Sequence, residues 1–213
     1  HQLRTPLAII RTQLALSARS SSLDEAQHAA LKGDQAVAHA ERILAQLLLM
    51  AKIDAATAKE ALTASAIDLT AIAQEITGEQ IPRAAEAGID LGFEGEGPAM
   101  IRAEPLLIGE MLRNLAGNAI AYAGHGAEVT VRILEDAETV RLEVEDNGPG
   151  IPPEKLEAVR KRFSRGNESG APGAGLGLPI VEEIANLFNA RLTLIPGRGG
   201  RGLKASVTFN RAA

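Results

Sequence analysis

The chain has 213 residues, of which 46% are hydrophobic but only 2% aromatic, so it can form two modest domains with largely aliphatic cores. It has no cysteine, which excludes disulfides and thiolate metal sites. The net charge of −5 argues against nucleic acid as the main partner, because phosphate binding needs excess Lys and Arg. No apolar run reaches about 18 residues, so we expect no membrane-spanning segment in this sequence.

The first predicted element is a helix at the very start of the chain. Its apolar residues recur at spacings of four, three and four: Leu3, Leu7, Ile10 and Leu14. His1 and Thr5 fall on roughly the opposite face, so we expect the leucines to be buried and His1 to face solvent. Because a helical pattern already begins at a histidine rather than a methionine, we expect the chain to be part of a longer protein. Any membrane segments would then lie in the missing part.

A second helix is predicted after a break at residues 20–25, whose Ser and Asp residues supply a cap. It extends to about Asp54 and carries an apolar stripe: Val37, Leu44, Leu47, Leu48 and Ala51. Two antiparallel helices cannot bury both stripes alone, so we expect a homodimer that forms a four-helix bundle. We assign residues 1–56 to this helical domain and 57–66 to a linker.

The remaining residues, 67–213, predict an α/β sandwich. Helices are predicted over 68–77, 104–122 and 178–188. Strands are predicted over 89–93, near Met100, and over 129–133, 140–144, 192–195 and 203–209. Residues 129–133 and 140–144 alternate with period two and predict neighbouring antiparallel strands. The stretch 164–177 is rich in Gly, Ser and Pro and predicts a mobile lid.

Two glycine-rich segments predict a nucleotide pocket. Asp146 ends a predicted strand and is followed by Gly148 and Gly150. A carboxylate there can accept a hydrogen bond from an exocyclic amine, and the glycines let backbone N–H groups approach phosphates. The second segment enters a helix and contains Gly173, Gly175, Leu176, Gly177 and Leu178. Asp-Asn-Gly alone is ordinary turn chemistry, so the prediction depends on both segments.

Polar residues before and between these segments suit a metal and phosphates. Asn114 and Asn118 are one helical turn apart, and amide oxygens suit Mg²⁺ that bridges substrate phosphates. Two asparagines alone are more often solvated or capping residues; the glycine segments that follow favour the metal site. Arg162 and Arg165 flank Phe163 before the lid. Exposed arginines usually only aid solubility, but here we expect one to stabilise charge on a γ-phosphate.

His1 is a candidate nucleophile because of its neighbours. Pro6 removes a backbone N–H inside the helix and leaves the carbonyl of Gln2 without its helical partner. A lone histidine on a helix is usually a surface residue. On an exposed, locally distorted helix, however, a neutral imidazole nitrogen can attack a phosphoryl group.

Five segments in this order resemble the catalytic core of a sensor histidine kinase, over nearly the whole chain. They are similar to the H, N, G1, F and G2 boxes, in HQLRTPL (1–7), NLAGNA (114–119), DNGPG (146–150), RFSRG (162–166) and GAGLGL (173–178). The first segment is similar to that of the tricarboxylate-sensing group. The resemblance implies an antiparallel helical hairpin, a four-helix bundle as a dimer, followed by an α/β sandwich of the Bergerat ATP-binding type.

The resemblance also implies an activity and roles for residues. His1 would be phosphorylated from ATP and pass the phosphoryl group to an aspartate on a response-regulator receiver domain, while Thr5 would position water for dephosphorylating that regulator. Asn118 would hold Mg²⁺ with help from Asn114. Asp146 would bind adenine beside Tyr122. The chain would be the cytoplasmic portion of a bacterial inner-membrane sensor.

Three positions depart from the commonest family pattern. Gln2 replaces an acidic residue and cannot take a proton from the histidine. Ala121 stands where a Lys or Arg often meets phosphate, so Arg162 or Arg165 would have to compensate. Ala174 replaces a frequent Thr, a milder change because backbone N–H groups make the main contacts there.

Two other functions are alternatives to the kinase. A phosphotransfer or scaffold protein with a degenerate nucleotide domain would lose residues that are all present here, such as Asn118, Asp146 and Gly177. An ATPase of the same fold, of the chaperone or topoisomerase type, would carry an acidic residue in place of Asn114 and lack the His1 hairpin. The sequence therefore favours the kinase over both.

Overall fold

The computed structural model describes residues 4–20, 22–57, 64–159 and 176–212, and the chain divides into two compact units. Unit 1 is His1–Asp54 and unit 2 is Ala55–Ala213. In the described parts of the chain, no helix is both long and apolar enough to cross a membrane.

Unit 1 is a helical hairpin. Helix α1 spans Arg4–Arg19 and helix α2 spans Leu23–Thr57. The Ser22 hydroxyl accepts a hydrogen bond from the Glu25 N–H at 3.2 Å and so caps the start of α2. Gly33 lies against Gln13, since a Cβ atom built on Gly33 would be 3.7 Å from the Gln13 Cβ. With a short connection between the helices, this contact makes the hairpin antiparallel, as predicted.

The face that α2 turns toward α1 is not one of the two apolar stripes identified in the sequence. Small residues dominate the inner face of α2, which buries Ala29, Gly33, Ala36 and Ile43. In this single chain the residues of the two predicted stripes are exposed, among them Leu7, Leu14, Val37, Leu44, Leu48 and Ala51, while Ile10 is partly buried. The physical reason is that Ala and Gly let two helices approach closely, which turns the bulky leucines outward. Leu3 and the Leu47 side chain lie outside the described residues.

Unit 2 contains a five-stranded sheet and a two-stranded sheet. Its strands are β1 Ser65–Asp68, β2 Asp90–Glu94, β3 Met100–Ala103, β4 Glu128–Glu135, β5 Thr139–Asp146, β6 Arg191–Pro196 and β7 Leu203–Asn210. The larger sheet has the order β2-β4-β5-β7-β6, in which only β2 and β4 are parallel. The predicted pairing of β4 with β5 is present, with Val131 opposite Val144.

Helices cover one face of the five-stranded sheet. They are α3 Leu69–Glu86, α4 Pro105–Tyr122 and α6 Gly177–Leu187; a further short helix, α5, spans Leu156–Val159. Alternate strand residues face them and are buried, among them Val129, Val131, Leu142, Val144 and Val207. The other face carries ion pairs, such as Arg132 to Glu145 at 2.6 Å. The nucleotide-binding motifs are therefore set on a sheet with one apolar and one charged face.

One strand was not predicted, and one helix extends beyond its predicted limit. Strand β1 begins at Ser65, inside the predicted linker, and pairs antiparallel with β3, with Ile67 opposite Ile101. Helix α3 continues past Thr77 to Glu86, although Gly78 and Pro82 weaken its pattern. Ala84 is fully packed in the core and holds this last part of the helix in place.

Candidate functional site

The structure places ten of the predicted site residues. Thr5 lies in unit 1, exposed on α1, where it lines a shallow hollow with Arg4, Ala8 and Thr12. The other nine lie in unit 2: Asn114, Asn118 and Tyr122 in α4, Asp146 at the end of β5, Gly148 and Gly150 in the next loop, Leu176 before α6, and Gly177 and Leu178 in its first turn. The remaining six lie outside the described residues: His1, Gln2, Arg162, Arg165, Gly173 and Gly175.

The start of α6 packs directly on both predicted metal-binding asparagines. A Cβ atom on Gly177 would be 2.9 Å from Asn118 Nδ2 and 3.3 Å from Asn114 Oδ1. Leu176, the N-cap of α6, is buried and makes no side-chain cap bond. The N–H groups in the first turn of a helix lack helical partners and favour anions, so this end of α6 can receive phosphate beside the two amides.

Asn114 is held in a fixed orientation by its own helix. The residue is buried, and its Nδ2 donates to the backbone carbonyl of Glu110 at 2.8 Å. This bond directs Oδ1 toward Gly177. Asn118, one turn later, is partly exposed. Asn118 is therefore the amide more accessible to a ligand, whereas Asn114 is the buried member of the pair.

Asp146 is a buried carboxylate at the end of β5. Burial raises its pKa above the ordinary value of 3.8, and the N–H groups of Gly148 and Leu203 oppose that shift by donating to it. The bond from Gly148 to Oδ1 is 2.9 Å long. A carboxylate fixed in this way can accept a further hydrogen bond from an amine that enters the site.

The loop after β5 fits tightly between two other segments. A Cβ atom on Gly148 would be 2.5 Å from the Cα and carbonyl oxygen of Ala123, so this glycine touches the end of α4. Gly150 has φ of +70° and would place a Cβ atom 2.5 Å from the carbonyl oxygen of Gly202. Only glycine fits both positions without displacing backbone.

Another glycine-rich segment, which was not identified from the sequence, packs against this loop. Gly202 has φ of +71°, and a Cβ atom there would overlap the carbonyl oxygen of Asp146. Gly197 is also close, because its Cβ atom would be 2.9 Å from the same oxygen. The available signal was the glycine-rich stretch 197–202 between the two last predicted strands, which was not assigned to the pocket.

The residues fit a nucleotide better than a metal bound by protein groups alone. Tyr122 is half-exposed at the end of α4, one turn after Asn118. Across the parts of the chain that the structure describes, no group of three or more His, Asp or Glu side chains is placed to hold a metal ion. A cation at Asn118 would need further oxygen ligands from water and phosphate, which is how Mg²⁺ binds nucleotides.

Comparison with known protein families assigns unit 2 to one of them. Residues 103–213 match the histidine kinase-, DNA gyrase B- and HSP90-like ATPase family. The chain belongs to this family and carries its ATP-binding domain. The predicted class, a sensor histidine kinase core, agrees with the names of its relatives.

Two curated relatives align with nearly the whole chain. Sensor protein kinase PmrB of Pseudomonas aeruginosa is 32% identical over 208 residues, which are 97% of this chain and 43% of that protein. Sensor protein QseC of Escherichia coli K12 is 31% identical over 211 residues, 98% of this chain and 45% of that protein. The chain thus spans less than half the length of the curated relatives it matches.

Solved structures confirm the predicted fold class of a helical hairpin followed by an α/β ATP-binding domain. Histidine kinase AdeS of Acinetobacter baumannii has a TM-score of 0.74 at 19% identity and covers 100% of this chain and 98% of its own. The catalytic domain of histidine kinase ThkA has a TM-score of 0.63 at 22% identity and covers 71% of this chain and 100% of its own.

Proposed function

We propose that this chain is the catalytic core of a sensor kinase that phosphorylates its own His1 from ATP and transfers the phosphoryl group to an aspartate of a response-regulator receiver domain. The observation that carries the proposal is the contact of Gly177 with Asn118 and Asn114 on α4, the helix whose end is touched by Gly148 from the loop after the buried Asp146. In this proposal residues 1–56 dimerise and accept the phosphoryl group, 57–66 link, and 67–213 bind ATP.

The nucleotide would be held by both glycine segments and α4. Asp146 would accept a hydrogen bond from the exocyclic amine of adenine, Gly148 and Gly150 would leave room for the base, and Tyr122 would line the pocket. Asn118, assisted by Asn114, would hold Mg²⁺, which supplies positive charge against the phosphates. The backbone of the second segment would meet those phosphates through Gly173, Gly175, Leu176, Gly177 and Leu178.

Phosphoryl transfer would begin with attack by an imidazole nitrogen of His1 on the γ-phosphorus. The new P–N bond forms as the P–O bond to ADP breaks, and the imidazole proton leaves to solvent because Gln2 cannot accept it. Arg162 or Arg165 would stabilise the negative charge on the transferred group. Positioning and charge stabilisation account for most of catalysis in reactions of this kind.

Unit 1 would also take part in dephosphorylation of the regulator and in dimerisation. Thr5, exposed on α1, would position water for hydrolysis of the regulator's phosphoaspartate. The outward leucines support a homodimer, since exposed apolar faces of helices need a partner. We place the chain in the cytoplasmic portion of a bacterial inner-membrane sensor whose membrane segments are not in this sequence. The finer assignment to a tricarboxylate-sensing group rests on HQLRTPL alone and stays a prediction.

The test is incubation of the protein with Mg²⁺ and γ-labelled ATP, followed by measurement of acid-labile protein phosphate. We expect label in the wild type and in His28→Ala, a matched exposed histidine on α2, but none in His1→Ala or Asn118→Ala. Label that persists in His1→Ala would refute the assigned phosphoacceptor. Failure of the wild type to bind ATP would refute the pocket itself.

A further inference from the structure

An arginine from α3 reaches α4 at the buried Gly117. A Cβ atom on Gly117 would be 3.0 Å from Nη1 of Arg83, so the guanidinium occupies the space that a side chain would fill at this position. Arg83 itself is exposed. Because Gly117 has no side chain, the guanidinium can approach the α4 backbone there. In the sequence, Gly117 lies between Asn114 and Asn118, the two predicted Mg²⁺-binding residues.

Helix geometry relates the position of Gly117 on α4 to those of Ala121 and the two asparagines. At about 100° per residue, Ala121 is rotated about 40° from Gly117, while Asn114 and Asn118 are rotated about 60° and 100° in the same direction. Ala121 is also one turn from Gly117, and side chains so spaced are neighbours. A guanidinium at Gly117 is therefore one helical turn from Ala121, which lies on the side of Gly117 that the two asparagines share.

Arg113 of α4 makes one ion pair with α3 and one within its own helix. Its guanidinium is 3.0 Å from a carboxylate oxygen of Glu79 on α3 and 3.1 Å from one of Glu110 on α4. Its position on α4 is rotated by about 40° from Gly117 in the other direction, away from the asparagines. Arg113 thus lies farther from the asparagines around α4 than Gly117, where Arg83 makes its contact.

We propose that Arg83 binds the phosphates of the nucleotide and supplies from α3 the cation that Ala121 does not provide. This inference rests on the proposed function, in which the phosphates lie beside Asn118. Arginine suits the role because its planar guanidinium can donate two parallel hydrogen bonds to a phosphate. The proposal also explains a use for glycine at position 117, since a side chain there would displace the guanidinium.

Calorimetric titration of the whole chain with ATP, ADP and adenosine tests the proposal. We expect Arg83→Ala to weaken ATP and ADP binding roughly tenfold, the usual effect of losing a hydrogen bond to a charged group, and to leave adenosine binding unchanged. Arg113→Ala removes the same charge from the same surface and is expected to leave all three affinities nearly unchanged. The double variant Arg83→Ala, Ala121→Arg is expected to regain phosphate-dependent affinity.

The outcomes separate this inference from the proposed function. Wild-type affinity for ATP in Arg83→Ala would overturn the inference and leave the pocket intact. Equal losses for adenosine and ATP in Arg83→Ala, with no rescue by Ala121→Arg, would show a structural role and would also overturn it. A wild type that binds neither adenosine nor ATP would instead refute the proposed function.

Discussion

Gly177 and Asn118 are in contact: a Cβ atom on the glycine would be only 2.9 Å from the amide nitrogen of the asparagine. Real Cβ atoms essentially never come so close to another heavy atom, so any other residue at 177 must move the amide. The absence of a side chain at the start of α6 thus sets the position of Asn118 on α4. The contact joins two motifs that are far apart in the sequence.

We predict that Gly177→Ala weakens ATP binding on the order of tenfold, because small displacements of a binding group are costly. The free energy of unfolding should change little, since alanine is favoured over glycine in a helix. Titration with ATP, alongside chemical denaturation, measures both quantities.

The matched control is Gly78→Ala, an exposed glycine inside α3 whose Cβ atom would have nothing within 4 Å. It should raise the free energy of unfolding by about 0.5–1 kcal/mol and leave ATP affinity unchanged. Unaltered ATP affinity in Gly177→Ala would show that the amide of Asn118 does not contribute to binding.

Asp146→Asn should abolish most nucleotide affinity while keeping the fold. The asparagine carbonyl can still accept the Gly148 N–H, but its NH₂ group would face the amine of adenine, which also donates. Losing a hydrogen bond to a charged group is worth about 1.5–3 kcal/mol, so adenosine should bind at least tenfold more weakly. Adenosine titration checks this, and an unchanged affinity would refute the role in base recognition.

The same variant should change how stability depends on pH. Burial raises the pKa of Asp146 above 3.8, so the folded protein binds this proton more tightly than the unfolded chain. The contribution of Asp146 to stability therefore falls as pH rises from about 3.8 through the raised pKa, and then stays constant. The unfolding free energy of Asp146→Asn, relative to the wild type, should rise across that window.

Glu145, the neighbour of Asp146, titrates in the opposite sense. Burial opposes its ionisation, but hydrogen bonds from the Arg198 N–H and the Arg132 guanidinium, with the charge of Lys204, lower its pKa below 4.5. Its stabilising contribution is lost as pH falls through that lowered value. Because Glu145 is present in both proteins, its effect largely cancels in the comparison. A difference between Asp146→Asn and wild type that does not vary with pH would contradict the assignment.

Local sequence signals were enough for much of the ATP-binding unit. Period-two alternation predicted β4 and β5, and their register brings Val131 opposite Val144. A helix was predicted over 104–122, and α4 spans Pro105–Tyr122, with the Glu104 carboxylate accepting the Leu107 N–H at 2.9 Å at its start. These features depend on residues that are close together in the sequence, so the local sequence pattern is enough to predict them.

Contacts between distant segments could not be predicted in this way. Strand β1 has four residues and pairs with β3 more than thirty residues later, so no local pattern marks it. The face of α2 that packs on α1 depends on small residues such as Gly33, whereas the hydrophobic pattern favoured the leucines. The approach of Gly202 to Asp146 and of Arg83 to Gly117 depends on tertiary packing.

Asp68 should stabilise the joint between β1 and α3. Its Oδ1 accepts the N–H of Thr70, which caps α3, and also the N–H of the buried Ala99, each at 3.0 Å. We predict that Asp68→Ala lowers the free energy of unfolding by about 1–3 kcal/mol, because a cap and a buried donor both lose their acceptor. Glu104→Ala, which removes one cap bond to Leu107, should cost only about 1 kcal/mol. Equal losses in the two variants would show that the bond to Ala99 contributes nothing.

Gly202 and Gly199 offer a test of how closely the β6–β7 connection supports Asp146. Both have positive φ, +71° and +70°, so alanine is strained at each position by about 1–2 kcal/mol. A Cβ atom on Gly199 would meet nothing within 4 Å, whereas one on Gly202 would overlap the Asp146 carbonyl oxygen. Gly199→Ala should therefore cost about 1–2 kcal/mol of unfolding free energy and leave adenosine affinity unchanged.

Gly202→Ala should cost at least about 3 kcal/mol and also weaken adenosine binding, because the backbone of Asp146 has to move to admit the methyl group. Denaturation and adenosine titration of both variants give the comparison. If Gly202→Ala retained full adenosine affinity in its folded fraction, the position of the Asp146 carboxylate would not depend on this packing. Loss of affinity in Gly202→Ala but not in Gly199→Ala would extend the adenine site to a loop outside the glycine motifs.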